Sequence, residues 1–447
     1  MTDNPEFSLH MPPAHISQSQ EPIELESLEE FPYKSVAMGS THANLTGLWR
    51  YWRPYFQTKR APCDAACPVG NHVVDYIQTA LDGHWPEAAN ILRAENPLPG
   101  ITGRVCHRPC ERACNRRQYD EQIAIHDIET TLAEAAHVPL EFPPCPHTHS
   151  VAVVGSGPAE LAFAHFAAQM GHPVTLFEAA DGLGGRLRSG GQARHLPDGL
   201  LDAEIERIVA GRIEVRHQTG TLTDLAADYD LVFGVLDDPV TLVLHAPSRS
   251  GADAGVLGLL GGDKDLPTVS APNSARVSEA IGYGKWAALL LDASWRGLDA
   301  EAVLAQIQVG GNPRIVSALK YLSLLTGHKI ERTEEIVTYE HLKTDLMAEP
   351  RAIEPDNVVQ ATQFIATKFV NQEDIQRILS EAARCFSCGR CNGCDNCWIF
   401  CPDGVISRSE GRYAIDYDYC KGCSVCRSVC PRGVISVIEE EKWTESS

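Results

Sequence analysis

The sequence predicts a multidomain protein of mixed α+β and α/β class, with an α-helical domain near the N terminus, an α/β domain in the middle and a small domain near the C terminus. Three observations support this prediction. The chain has 447 residues, which is enough for two or three domains with cores of their own. Its sixteen cysteines are clumped: five lie between residues 63 and 114, one is Cys145, and ten lie between residues 385 and 430. The cysteine-free middle contains a strand, a glycine-rich turn and a helix in succession, which is typical of a parallel α/β sheet.

These features divide the chain into five segments of different expected character. The expected segments are a mobile acidic tail over residues 1–40, a helical domain over 41–145, an α/β domain over 146–300, a helical linker over 301–380 and a small cysteine-rich domain over 381–440. The tail prediction rests on an acidic sequence without hydrophobic periodicity.

The composition narrows the classes of partner and compartment. A formal net charge of -21 argues against nucleic acid and against an anionic membrane surface as partners. No apolar run approaches the roughly 18 residues that a membrane span needs. The N-terminal segment has no basic stretch followed by an apolar one, so we expect no secretory signal and a cytoplasmic protein. In that compartment, sixteen cysteines indicate metal binding before disulfides.

Two cysteine runs near the C terminus predict two [4Fe–4S] clusters. Residues 391–402 and residues 420–431 each read C-x2-C-x2-C-x3-C-P. In such runs the first three cysteines bind one cluster and the fourth binds the other. A zinc ribbon would instead use two C-x2-C pairs. The predicted ligand sets are Cys391, Cys394, Cys397 with Cys430, and Cys420, Cys423, Cys426 with Cys401. This stretch resembles the bacterial 2[4Fe–4S] ferredoxins.

A second cysteine group lies in the N-terminal third of the chain. Residues 62–70 read PCDAACPVG, residues 103–115 read GRVCHRPCERACN, and an amphipathic helical stretch lies between them. This pattern resembles the N-terminal α-helical Fe–S domain of the glutamate synthase small subunit and of dihydropyrimidine dehydrogenase. The resemblance implies two [4Fe–4S] clusters, one of which has a Glu or Gln ligand on a following helix. It implies one ligand set, consisting of Cys67, Cys106, Cys110 and Glu129.

The other N-terminal cluster lacks part of its expected ligand set. The family has an additional C-x2-C pair just before the first cysteine, and residues 53–62 contain none. Only Cys63 and Cys114 therefore remain for this cluster, whereas Cys385 and Cys388 precede the ferredoxin-like repeat without a role in it. We hypothesise that these four cysteines together bind a fourth cluster. The alternative is three clusters, with Cys385 and Cys388 as free or structural thiols.

The middle of the chain predicts a truncated FAD-type Rossmann-like domain. A buried strand, VAVVG, leads into a turn with Gly155 and Gly157, where backbone N–H groups can meet a pyrophosphate. The next strand ends at Glu178, about twenty residues on, where an acid can bind a ribose. Gly184 and Gly185 then follow, as in the G-G motif of two-dinucleotide-binding flavoproteins, which the segment resembles. These five residues are the candidate FAD contacts.

Two departures leave FAD binding open. Glu160 replaces the third glycine of the turn, which puts a carboxylate opposite a pyrophosphate. The Gly262-Asp263 pair, which resembles the motif beside the ribityl phosphate, lies somewhat too far upstream of the predicted helix at 277. Only about forty residues separate the strand at 230 from this helix, and a nicotinamide domain needs about 100. Direct oxidation of NAD(P)H is therefore not expected.

The expected function is an electron relay through three or four [4Fe–4S] clusters, without catalytic residues in this chain. The stretch RCFSCGRCNGCDNCWIFCPDGVI resembles subunits that accompany 2-oxoacid:acceptor oxidoreductases, which implies a catalytic partner containing thiamine diphosphate. Ferredoxin is a further candidate partner. One alternative is a self-contained FAD-dependent NAD(P)H:ferredoxin or glutamate-synthase-like reductase. Another is a non-catalytic scaffold with a degenerate flavin fold.

Overall fold

The structure is a computed structural model of the chain. It describes residues 45–191, 193–218, 225, 228–236, 241–245, 268–270, 276–327, 332–347, 349–350, 355–365, 369–409 and 412–443. The predicted tail over residues 1–40 and the Gly262-Asp263 pair lie outside these residues. Among the described helices, none has both the length and the apolar character needed to cross a membrane.

Helices and strands occur in both the cysteine-rich and the cysteine-free parts of the chain. The described α-helices are Pro62–Ala66, Val73–Leu81, Trp85–Glu95, Pro99–Val105, Pro109–Ala113, Ile125–Leu132, Pro158–Gln169, Arg186–Ser189, Leu200–Val209, Val277–Trp295, Ala300–Ile307, Ala318–Thr326, Pro355–Phe364, Gln372–Ala383, Asn396–Ile399 and Val425–Val429. The described strands are β1 Trp52–Phe56, β2 Thr58–Arg60, β3 Val151–Val154, β4 Val174–Phe177, β5 Ile213–Arg216, β6 Leu231–Leu236, β7 Thr241–His245, β8 Thr268–Ser270, β9 Gln308–Val309, β10 Asn312–Val316, β11 Arg332–Ile336, β12 Ile406–Ser409, β13 Arg412–Ile415 and β14 Ile435–Glu439.

The middle of the chain forms a six-stranded sheet in the order β5-β4-β3-β6-β7-β8. The first four strands in this order are parallel, whereas β7 and β8 pair antiparallel. Helix Pro158–Gln169 crosses from β3 to β4, as the strand–turn–helix pattern predicted. The predicted Rossmann-like α/β class of this segment is therefore confirmed.

Helix Val277–Trp295 lies against helix Pro158–Gln169 in the centre of this domain. Its close approach depends on Gly284, because a Cβ atom there would lie 2.2 Å from the carbonyl oxygen of Ala159. Phe163 stacks on Phe233 of the sheet, with ring centroids 3.9 Å apart. The two helices and the sheet thus share one apolar core.

The N-terminal helices share a core with residues from the predicted linker. Val73 and Ile77 of helix Val73–Leu81 belong to the same buried cluster as Ile375 and Ile378 of helix Gln372–Ala383. The segment before the ferredoxin-like domain is therefore packed into the N-terminal domain, so the two ends of the chain come together around one core.

Two strand pairs join the N-terminal segment to later parts of the chain. Strand β1 pairs antiparallel with β14, from Trp52 opposite Glu439 to Phe56 opposite Ile435. Strand β2 pairs parallel with β11. The N-terminal domain was predicted to be helical, and these strands are a difference from that prediction. They hold the segment just before the N-terminal cysteines against the ferredoxin-like domain and against the segment that precedes it.

Candidate iron–sulfur sites

The first predicted ligand set of the ferredoxin-like repeat surrounds one cavity. Cys391, Cys394, Cys397 and Cys430 all line it. Apolar side chains close it, and these include Phe56 from β1. Burial raises the pKa of the Cys397 thiol to about 12, and the other three thiols add to this shift.

The second set of the repeat is also brought together. Charges on Cys401, Cys420 and Cys423 all act on the Cys426 thiol, whose pKa is raised to about 12, mainly by burial. Cys401 thus lies near the three cysteines of the other run, in the exchanged arrangement that the spacing predicted. Cys423 is exposed, so this site lies close to the protein surface.

The third set combines three cysteines with a buried carboxylate. Charges on Glu129 and Cys106 act on Cys67 and also on Cys110, and burial is the largest cause of the raised pKa of both these thiols. Helix Ile125–Leu132 carries Glu129, which is 7 % exposed. Burial raises the pKa of Glu129 to about 7.

Two residues that the sequence reasoning missed hold the Glu129 carboxylate. Asn71 Nδ2 donates to Glu129 Oε1 at 2.8 Å, and the Tyr76 hydroxyl donates to the same oxygen at 2.9 Å. Both donors favour the ionised carboxylate. Asn71 follows the CPVG turn directly, and this adjacency is the signal that could have identified it.

The fourth set comes from both ends of the chain. Cys63, Cys114, Cys385 and Cys388 line one cavity that is otherwise mostly apolar. Burial raises the pKa of Cys63 well above its usual value, and Asp64 and the other three cysteines contribute in the same direction. The residue after Cys114 also contacts this site: Asn115 Nδ2 donates to Cys388 Sγ at 3.4 Å.

A common backbone geometry marks all four sites. Among the described residues, the non-glycine residues with positive φ are Arg108, Ser387, Asp395 and Ser424, at 57°, 50°, 64° and 60°. Each lies between two cysteines of a different predicted set. This conformation is rare for non-glycine residues, and such strain concentrates at functional sites.

The hydrogen bonds of these loops agree with that geometry. The backbone N–H of Arg108 donates to Cys106 Sγ at 3.4 Å, and that of Ser387 donates to Cys385 Sγ at the same distance. Equivalent bonds join Gly393 to Cys391 and Gly422 to Cys420. In the Cys385 loop, as in the loops of the other three sets, the backbone N–H two residues after a cysteine donates to the sulfur of that cysteine. Such bonds stabilise negative charge on sulfur.

The donor sets fit iron–sulfur clusters. All sixteen cysteines are free thiols, and eight of them are buried. Several buried thiols in one place are poor acids on their own, because burial disfavours each thiolate and the thiolates repel one another. Iron ions remove this cost by sharing the negative charge. The grouping therefore favours thiolate ligands to metal over unpaired core cysteines.

The glycine turn of the Rossmann-like domain does not offer an open cradle for a pyrophosphate. Glu160 is 6 % exposed, and its Oε2 lies 2.7 Å from the position that a Cβ atom on Gly157 would take. Gly185 packs against Gly157, with a corresponding distance of 3.3 Å to the Gly157 Cα atom. The Glu160 carboxyl group thus occupies the space beside the turn, and in its ionised form it would repel a phosphate there.

The candidate ribose-binding acid is also engaged within the protein. The Ser156 hydroxyl donates to Glu178, and the Ala180 backbone N–H donates to Glu178 Oε1 at 2.9 Å. The Gly184 N–H donates to Ser156 Oγ at 2.9 Å. These residues do not fit the pyrophosphate and ribose of FAD in this arrangement.

Cys145 belongs to a separate hydrogen-bond network. Its thiol donates to the His147 carbonyl at 3.1 Å, and its sulfur lies within 4.8 Å of His172 and Asp292 ligand atoms. His172 Nδ1 accepts from the His149 N–H, so its Nε2 carries the proton and donates to Asp292 at 3.0 Å. Both ring nitrogens are therefore used, which favours a structural network over a metal site.

Comparisons with known protein families agree with this organisation. Residues 55–138 match the 4Fe–4S cluster domain described as domain II of dihydropyrimidine dehydrogenase. Residues 153–207 match an NAD(P)-binding Rossmann-like domain, and residues 390–434 match a 4Fe–4S dicluster domain. The chain carries two 4Fe–4S domains around a Rossmann-like segment.

Similar curated proteins are subunits of oxidoreductases. The NADP(+)-dependent formate dehydrogenase subunit beta of Moorella thermoacetica is 32 % identical over 266 residues, which cover 52 % of this chain and 36 % of the relative. The glutamate synthase [NADPH] small chain of Bacillus subtilis is 34 % identical, over 37 % of this chain and 34 % of the relative. The NADPH-Fe(3+) oxidoreductase subunit beta of Geobacter sulfurreducens is 31 % identical, over 39 % and 27 %. The chain thus spans about a third of the length of these relatives.

Proposed function

We propose that this chain is the electron-transfer subunit of an oxidoreductase and carries four [4Fe–4S] clusters in one series. The observation that carries the proposal is the cavity lined by Cys63, Cys114, Cys385 and Cys388. A cluster there would connect the N-terminal 4Fe–4S domain to the ferredoxin-like domain, which otherwise would be separate carriers.

The order of the clusters follows from ligands that are neighbours in the chain. Cys63 and Cys67 lie at the two ends of helix Pro62–Ala66, roughly 6 Å apart along the helix axis. Cys110 and Cys114 are placed in the same way at helix Pro109–Ala113. These two pairs each belong to the third and fourth sites, so those sites are adjacent.

The fourth site is adjacent to the ferredoxin-like repeat for a similar reason. Cys388 and Cys391 are three residues apart, a reach of at most about 11 Å. Cys391 in turn shares the repeat with Cys401 and Cys420. The series therefore runs from the Glu129 site, through the Cys63 and Cys385 site, to the Cys391 site and finally to the Cys420 site, where Cys423 is exposed.

Side chains and backbone groups of the protein would tune these sites for one-electron transfer. Each cluster supplies one site that takes up and releases an electron. The chain binds it through thiolates, donates backbone N–H groups to their sulfurs and excludes water through burial, and these three factors set the reduction potential. The Rossmann-like domain, whose glycine turn contains Glu160, serves as the frame between the two cluster domains.

The partner in this proposal is a catalytic subunit elsewhere. The relatives bear the names of subunits of formate dehydrogenase, glutamate synthase and an NADPH-Fe(3+) oxidoreductase, so relatives of this kind serve different substrates. For this chain we favour a 2-oxoacid oxidoreductase that contains thiamine diphosphate, because its cysteine stretch before Ile406 resembles subunits of those enzymes. Ferredoxin is the proposed electron acceptor or donor at the end of the cluster series away from the catalytic subunit.

Anaerobic purification of the full chain with its native partners tests the proposal. Iron, flavin and subunit composition are measured together. We expect about sixteen irons per chain, as four [4Fe–4S] clusters require, and a co-purifying subunit with thiamine diphosphate. A partner without thiamine diphosphate would keep the relay and reject the 2-oxoacid assignment. A single chain that reduces ferredoxin with NADPH would overturn the relay and favour the self-contained reductase.

A further inference from the structure

Arg432 lies between two of the proposed cluster sites. It follows the Cys430-Pro431 pair and lines the cavity of Cys391 and its partners. Its Nη1 donates to the carbonyl oxygen of Phe386, which lies in the loop between Cys385 and Cys388. The Gly389 N–H, directly after Cys388, donates to the carbonyl oxygen of Arg432 at 2.8 Å. Both the side chain and the backbone of Arg432 therefore contact the loop of the fourth site.

The charge of Arg432 acts on cysteines from both sites. The guanidinium interacts electrostatically with Cys385 and Cys388 of the fourth site and with Cys394 and Cys430 of the repeat. One guanidinium thus serves two sets of ligands.

Arg432 has no carboxylate partner in the part of the chain that the structure describes. It is 8 % exposed, and its buried Nε atom has no hydrogen-bond acceptor among the described residues. Its Nη1 donates to the Phe386 carbonyl oxygen and contacts the Met347 sulfur, the latter at 3.6 Å. A buried cation without an anionic partner is strongly unfavourable. Negative charge on the neighbouring sulfurs would supply that partner.

We infer that Arg432 is a shared counter-charge for two clusters, the one bound by Cys63, Cys114, Cys385 and Cys388 and the one bound by Cys391, Cys394, Cys397 and Cys430. It is a positioning residue for the electron transfer between them. Reduction adds one negative charge to a cluster, and a nearby guanidinium stabilises that charge, so Arg432 holds both potentials higher than they would be without it. The inference rests on the proposed four-cluster function.

Redox titration of Arg432→Gln followed by electron paramagnetic resonance tests this inference. The full chain is purified anaerobically, and its iron content is measured first. We expect two of the four clusters to shift to more negative potentials and the other two to stay unchanged. Arg432→Lys, which keeps the charge, should retain most of both potentials. Arg412→Gln is the matched control, because Arg412 is an exposed arginine of the same domain.

A cross-check assigns the two signals. In a Cys385→Ser/Cys388→Ser background, Arg432→Gln should shift one signal only. A shift of one signal in the unmodified background, or no shift, would overturn the shared role. If Arg432→Gln loses iron, Arg432→Lys decides the question. Iron retained in the lysine variant would support the counter-charge role of Arg432, and equal iron loss in both variants would reject that role. An unmodified chain with fewer than four clusters would instead defeat the proposed function itself.

Discussion

The guanidinium of Arg50 donates from Nε and Nη2 to the two carboxylate oxygens of Glu440, at 2.7 Å each. These residues are 390 positions apart in the chain. Nη1 of Arg50 donates to the carbonyl oxygens of Tyr417 and Cys420, at 2.8 and 2.9 Å. Arg53 donates to the same carboxylate. This ion pair fixes strand β1 to the last strand of the ferredoxin-like domain, beside a predicted cluster ligand.

Substitution of Glu440 should loosen that attachment. Glu440→Gln removes the charged acceptor of two arginines, and we expect a loss of about 1–2 kcal/mol in the stability of the β1–β14 pair. Hydrogen exchange at residues 52–56 and 435–439 measures it. Glu441→Gln, at the adjacent exposed position, is the control and should change nothing. Equal protection in both variants would contradict the structural role of this pair.

The same ion pair should make the stability of the β1–β14 pair depend on pH in the acid range. Hydrogen bonds from Arg50 and Arg53 lower the pKa of Glu440 to about 2 from an unfolded value of 4.5. A carboxyl group with a depressed folded pKa contributes stability above its unfolded pKa, and that contribution is lost as the pH falls. The protection of residues 435–439, after correction for the intrinsic pH dependence of amide exchange, should therefore fall between about pH 4.5 and pH 2 in the unmodified chain and less so in Glu440→Gln.

The fourth cluster predicts a defined loss of iron. In Cys385→Ser/Cys388→Ser, we expect the iron content to fall from about sixteen to about twelve per chain, because one [4Fe–4S] cluster loses two ligands. Iron analysis and cluster absorbance measure this change. Cys145→Ser is the matched control, since Cys145 lies in the His172 and Asp292 network. An unchanged iron content would show that these two cysteines are structural thiols.

The carboxylate ligand can be tested in the same way. Glu129→Ala should lose about four irons, the content of one cluster, whereas Glu129→Gln should keep them because an amide oxygen can still face the metal. Glu121→Ala, an exposed acid before the same helix, serves as the control. Full iron in the alanine variant would exclude Glu129 as a ligand.

The buried carboxylate at the glycine turn predicts a second pH dependence. Burial, with a contribution from Glu178, raises the pKa of Glu160 from 4.5 to about 7. Between these values the folded state binds more protons than the unfolded state, so stability falls as the pH rises. Glu160→Gln should remove this slope and stabilise the chain above pH 7 by up to roughly 3 kcal/mol. Thermal midpoints at pH 5 and pH 8 for the variant and the unmodified chain measure it, and parallel midpoints would contradict the raised pKa.

The cluster ligands could be predicted from sequence where their spacing is local. The runs from Cys391 and from Cys420 each predict three ligands of one cluster from their own spacing, and the fourth ligand is predicted from the other run. The grouping of Cys63 with Cys385 was predicted only because the ligands present were fewer than the resembled family has for this cluster. The αL residues Arg108 and Ser387 were not predicted, since their sequence carries no glycine to indicate a positive φ.

Long-range pairing was the part that the sequence did not indicate. Strand β1 is only five residues long and contains Pro54, which weakens any strand signal. Its partner lies at the other end of the chain, so no turn between them sets a register. The position of Arg432 depends on the same pairing, and for that reason its contact with the Phe386 loop could not be read from the residues around it.

The joining of the two chain ends has a consequence for biosynthesis. Cys63 leaves the ribosome more than three hundred residues before Cys388, an interval on the order of tens of seconds at ordinary elongation rates. During that interval β1 has no partner, and half of a ligand set is exposed to oxidants and to the wrong metals. A cluster at this proposed site can therefore form only after both halves of its ligand set have been made, so the proposed electron path is not continuous until the chain has been extended past Cys388.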